Sequence, residues 1–219
     1  MLKRYLQTFV ALLLLLLAGL VTLAPILVVR AKLDGPAFTL AVCLWAALTL
    51  LALIPISGML LQTIWFFRGT GDPATLTQLQ ERLLAINAVN CPVSAAAAVK
   101  RKKLIFTWRT QELQWCELFS RLDVKRLYEL HCRFDADTRT VYLLDRIRLA
   151  DFVVCPERVK IGSLRIPLPL LRARSRRLAT INQFAALEPH DYDFQPREIK
   201  SPVLGTILAC GWNVRFSLF

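Results

Sequence analysis

Two long apolar runs open the chain and set the terms for everything after them. The first, from about Tyr5 to Val29, carries no charge between Arg4 and Arg30. At about 1.5 Å of rise per residue it exceeds the roughly 30 Å of a hydrocarbon core. A secretory signal would have a shorter apolar region, followed by a cleavage site rather than a second apolar run. The second run, from Pro36 to Phe67, is uncharged throughout and too long to stand upright in a bilayer as one straight helix. The helix is expected either to tilt throughout or to bend near Pro55, which lacks a backbone donor and clashes with the preceding turn, and to finish along the membrane surface. Trp65, Phe66 and Phe67 next to Arg68 form the aromatic-cationic pattern of a membrane interface. Residues 1–68 therefore read as a transmembrane hairpin with spans at about 5–29 and 36–67.

Beyond Arg68 the pattern changes to that of a mixed α+β domain over residues 72–219. Gly69-Thr70-Gly71 reads as a short flexible link. Asp72-Pro73 predicts a helix start, with Leu76, Leu79, Leu83 and Ile86 at helical spacing and a stop near Asn90. Leu104 to Trp108 predicts a strand. Gln111 to Arg121 predicts a short helix with Leu113, Cys116 and Phe119 or Leu118 inward. The clearest β signal is a hairpin: Arg126 to Phe134 alternates, Asp135 to Thr138 is turn chemistry, and Val141, Leu143 and Ile147 return. Short strands are expected at 152–154, 159–161 and 163–166, and a polar helix over about 175–187, with Leu178, Ile181 and Phe184 or Ala185 inward. A last helix, capped by Ser201 with Pro202 in first position, leads to a closing strand in which Trp212, Val214, Phe216 and Leu218 alternate with polar residues.

Neither span holds an Asp, Glu, Lys, Arg or His. That argues against a pump or ion-coupled carrier, whose pathways need such groups. Gly19 and Gly58 allow close helix approach, but no G-x-x-x-G is present. The Lys/Arg bias is small: Lys3, Arg4 and Arg68 flank the hairpin, against Arg30 and Lys32 in its loop. It favours both termini in the cytoplasm.

The chain carries a net +12, of which the first 68 residues supply +4, leaving +8 on the domain. Two clusters stand out: Lys100, Arg101, Lys102 and Lys103, and Arg172, Arg174, Arg176 and Arg177. Beside a bilayer, such clusters suit anionic lipid headgroups, at about 1 kcal/mol per cation; another membrane protein is a further partner class, and nucleic acid a weaker one. Cys43 lies in the second span; Cys91, Cys116, Cys132, Cys155 and Cys210 lack any C-x-x-C spacing, so these five are expected to be buried free thiols, which fits a reducing compartment.

Phe106-Thr107-Trp108-Arg109, Trp115, Phe119, Tyr128 to Asp135, Arg197-Glu198-Ile199-Lys200-Ser201-Pro202-Val203 and Gly211-Trp212 follow one another in this order. Together they resemble an uncharacterised family of bacterial membrane proteins with N-terminal spans and a similar soluble domain. The resemblance covers most of residues 75–219. It implies a bacterial inner-membrane protein and brings no catalytic residue with it.

Chemistry is sparse. His131 and Cys132 are strand neighbours that point to opposite faces and cannot form a dyad. His190 lies among Glu188, Asp191 and Asp193, a set that reads better as a solvated loop than as a cation site. Arg197 to Lys200 read as local ion pairs. No phosphate loop, nucleophile elbow, metalloprotease or dinucleotide fingerprint is present. No cofactor is expected. The leading expectation is a membrane-tethered interaction or scaffold module. The alternatives are a tethered enzyme using Cys132, Cys155 or His190, and a nucleic-acid binder.

Overall fold

A computed structural model describes residues 2–32, 34–98, 103–152, 160–167 and 179–217. The chain forms two units, residues 1–65 and residues 66–219.

The first unit is a pair of apolar helices, α1 (Leu2–Val28) and α2 (Gly35–Ile64), joined through a 3₁₀ turn at Val29–Lys32. Both are long and apolar enough to cross a membrane, and their outward faces are rows of leucine, valine and isoleucine. α2 runs through Pro55 as one continuous helix. The helix stops at Ile64 rather than Phe67 because Trp65 leaves the helical backbone and Phe67 belongs to the sheet.

Two indole–hydroxyl bonds tie α1 to α2. The Trp45 Nε1–H donates to Thr22 Oγ1 at 3.0 Å, and the Trp65 Nε1–H donates to Thr8 Oγ1 at 3.1 Å. Each threonine passes its own proton to a carbonyl of its helix, Thr22 to Gly19 and Thr8 to Arg4, so both hydroxyls donate and accept. In hydrocarbon such bonds contribute about 0.6–1.7 kcal/mol each. Gly19 lies opposite Thr49, whereas nothing approaches Gly58.

The second unit is α+β, as expected. Its strands are β1 (Val93–Ala98), β2 (Lys103–Trp108), β3 (Arg126–Asp135), β4 (Thr140–Asp151), β5 (Lys160–Pro167) and β6 (Asn213–Ser217). They pair antiparallel in the order β1-β2-β3-β4-β5. The long β4 shares its second edge: β6 runs parallel along Thr140–Leu144, and β5 pairs antiparallel with its far half. β1 has no counterpart among the expected strands, because an alanine run has little intrinsic β preference; pairing with β2 decides it.

Alternation gives the sheet two unlike faces. One carries Leu104, Phe106, Leu130, Cys132, Phe134, Val141, Leu143, Val214 and Phe216, all buried. Onto it pack α4 (Leu113–Arg121) and α5 (Pro196–Ala209), while α3 (Leu76–Leu84) lies against α5 and β1. Trp108, Phe119 and Phe194 meet edge to face there at centroid distances of 4.7–6.3 Å. Trp108, Trp115 and Trp212 are all core residues, as expected.

Several boundaries move, each for a local reason. α3 begins after Thr75, not Asp72, because Thr75 and Gln78 form a reciprocal capping box. In α4 Trp115, Cys116 and Phe119 point inward while Leu113 is exposed. The polar helix is represented by a 3₁₀ segment at Ile181–Ala186, in which Ile181 and Phe184 are buried and Ala185 is exposed. α5 starts at Pro196, so Ser201 and Pro202 lie inside it; its N-terminus is held instead by the Glu198 carboxylate, which accepts from the backbone N–H groups of Asp193 and Gln195.

Candidate interaction surface

The segment that follows α2 is fastened to the sheet. Phe67 exchanges two backbone bonds with Val214 of β6, at 2.9 and 2.8 Å. Gly69 N–H donates to Asn213 Oδ1, Thr70 and Gly71 N–H both donate to Leu208 O, and Ala74 N–H donates to Cys210 O. The Trp212 indole returns a bond to Ala74 O at 2.8 Å. Gly69-Thr70-Gly71 is therefore a docked strap, not the flexible link its composition suggests. Only glycine fits at position 71, where a Cβ would stand 1.7 Å from Ala209 O. Opposite it, Gly211 takes a φ of +70°, the left-handed conformation in which a side chain is strained.

The second face of the sheet is mixed, with Ile105 and Leu144 beside polar and basic residues. On it Glu129 bonds His131 at 3.1 Å and Arg148 at 2.6 Å, and all three are largely buried. His131 and Cys132 do face opposite ways, as alternation requires. Nearer one end of the sheet the register lines up Lys103, Arg133, Tyr142 and Arg215 on four adjacent strands. The Arg215 guanidinium sits over the Phe66 ring, 5.0 Å from its centroid, so the row runs on to the strap. Arg133 and Arg215 are exposed; Lys103, Tyr142 and Phe66 are half-buried.

Charged residues in the apolar half are fully engaged. Asp145 accepts from the Tyr128 hydroxyl at 2.8 Å and pairs with the Lys200 ammonium, which also lies 4.3 Å from the Phe216 ring centroid. Burial, then the Asp145 carboxylate, push the Cys132 thiol and the Tyr128 hydroxyl well above their ordinary values. That is the reverse of an activated nucleophile. Lys200 is thus buried rather than placed in a local exposed pair, whereas Arg197 does form a local pair, with Asp193 at 3.1 Å. Arg109 gathers four backbone carbonyls, donating from Nε to Val93 and from Nη2 to Ile86, Asn87 and Val89. The motif residues Arg109, Glu198, Lys200, Gly211 and Trp212 have one role in common, which is to hold segments of the domain together.

Of the basic clusters, Lys103 alone lies within the described residues, at the start of β2. Lys100, Arg101, Lys102, Arg172, Arg174, Arg176 and Arg177 lie outside them, as do Cys155 and the His190 side chain. Arg133, Tyr142 and Arg215 give no signal in the sequence because they are far apart in it and adjacent only through register. Among the described residues no group of three His, Cys, Asp or Glu side chains is placed to hold a metal ion. A cleft of about 580 Å³ between the start of β3 and the start of α5 is rimmed by both signs of charge, Lys125 and Arg126 against Asp123 and Asp193.

The expectation of free thiols needs correction. Cys43, Cys91, Cys132 and Cys210 are free, but Cys116 is disulfide-bonded. No C-x-x-C spacing surrounds Cys116, so the sequence carries no local signal for this bond. Compared with family models, curated proteins and solved structures, the chain matches none.

Proposed function

We propose that the protein is a two-span membrane-anchored interaction module, with its basic α+β domain presented at the membrane surface as a scaffold. The observation that carries this reading is the strap: hydrogen bonds to the sheet begin at Phe67, two residues after Trp65 closes α2. The domain's own hydrogen bonding therefore starts at the second residue past Trp65 in sequence. The predominantly apolar outer faces of α1 and α2 supply the anchor, and the docked polar groups described above are occupied in holding the fold. Alkaline carbonate extraction of membranes expressing the full chain tests the anchor. Retention in the pellet is expected; release into the supernatant overturns the reading.

The resemblance to bacterial membrane proteins supports the inner membrane, and the Lys/Arg count supports cytoplasmic termini. A second reading is carried by the disulfide at Cys116. Such bonds persist in oxidising compartments and are rare in the cytosol, which favours the same module on the opposite side. A membrane-impermeant maleimide applied to intact cells decides between them, using the Lys32→Cys and Asp137→Cys variants with Cys43 replaced by serine. Labelling at 32 alone supports cytoplasmic termini; labelling at 137 alone supports the oxidising side.

A further inference from the structure

We propose that Lys103, Arg133 and Arg215, together with the aromatic rings of Tyr142 and Phe66, form a contact line for anionic phospholipid headgroups. The inference rests on the membrane-anchored reading and supplies the partner that reading leaves open. Strand spacing is about 4.8 Å, so one row across β2, β3, β4, β6 and the strap is about 19 Å long.

Three features of the row point outward, to a ligand, rather than inward, to the fold. Lys103 and Arg133 are direct cross-strand partners, and like charges placed opposite one another destabilise a sheet. Arg133 and Arg215 are exposed, unlike Arg148, which Glu129 holds. The row also ends at Phe66, the residue after Trp65, so its last cation stacks on an aromatic ring where the chain leaves an apolar helix. Cations interleaved with aromatics at such a point match the headgroup layer, where rings sit between apolar and wet surroundings and anionic lipids attract Lys and Arg. A polyanion such as duplex DNA shares the charge but gives no role to the Phe66 ring at the end of the row.

The test uses the full chain in mixed micelles, with phosphatidylglycerol and phosphatidylcholine as probes and bound lipid counted by native mass spectrometry. Phosphatidylglycerol affinity is expected to fall about fivefold for each cation removed, hence about 25-fold in Arg133→Gln/Arg215→Gln, with phosphatidylcholine unchanged. Lys103→Gln, a single change at a half-buried site, gives an independent fivefold step. The control Arg121→Gln/Arg126→Gln removes two exposed charges away from the row and is expected to leave the affinity within twofold. Unchanged phosphatidylglycerol binding in the row variants, an equal loss in the control, or displacement of the lipid by duplex DNA each overturns the proposal. Carbonate extraction separates the two readings: a chain that stays in the membrane but shows no preference for the anionic lipid refutes the contact line and leaves the anchor standing.

Discussion

Lys200 on α5 and Asp145 on β4 form an ion pair inside the core, with side chains only 2% and 4% exposed. Tyr128 completes the set with a hydrogen bond to the other carboxylate oxygen. Desolvating two ions is expensive, and removing one partner strands the other, at a cost of about 3–5 kcal/mol. Lys200→Met is expected to lose stability of that size in urea unfolding of the detergent-solubilised protein. The double variant Asp145→Leu/Lys200→Met should recover most of it, because the apolar pair strands no charge. Equal losses in the single and double variants would contradict the pairing.

Glu198 gives the domain a pH dependence of definite sign. Burial raises its carboxyl above the ordinary 4.5, more than the bonds from Asp193 and Gln195 lower it. The folded state therefore binds the proton more tightly than the unfolded chain, so stability falls as pH rises through the window from about 4.5 to the raised folded value. The contribution is fully present below that window and lost above it. Subtracting the stability curve of Glu198→Gln from that of the parent should isolate this downward slope; a flat or rising difference would contradict the assignment.

Arg109 is expected to resist even a conservative change. Its guanidinium fork reaches four carbonyls on three segments, and an ammonium cannot reproduce that geometry. Arg109→Lys leaves at least one of these part-buried carbonyls unpaired, for about 1–3 kcal/mol. Hydrogen exchange should show the amides near Ile86 to Val93 opening first in the variant.

Gly71→Ala forces a methyl group into Ala209 O. Overpacking of this kind costs about 1–3 kcal/mol, and here it falls on the strap. Limited proteolysis should cut the variant between residues 66 and 75 while the parent resists, with the sheet itself intact by circular dichroism.

What can be read before folding, and what cannot, divides along physical lines. The apolar helices, the β3–β4 hairpin and the closing strand are legible because their periodicity is local and unbroken. Ser201-Pro202 looks like a helix start because serine caps and proline tolerates the first turn, yet the helix has already begun at Pro196, where Glu198 supplies the cap. The contact row is illegible for a different reason: Lys103, Arg133, Tyr142 and Arg215 come from four strands and meet only once the register is set. The visible clusters at Lys100 to Lys103 and Arg172 to Arg177 owe their prominence to being consecutive, and only Lys103 falls within the described residues.

The strap also imposes an order of events. Asn213, which receives the Gly69 amide, is synthesised 144 residues after it. α1 and α2 have thus long left the ribosome when their exit is still an unpaired strand edge, waiting for β6. Closure of that edge marks the sheet as finished. A chain halted before Asn213 therefore lacks the partners of both Phe67 and Gly69.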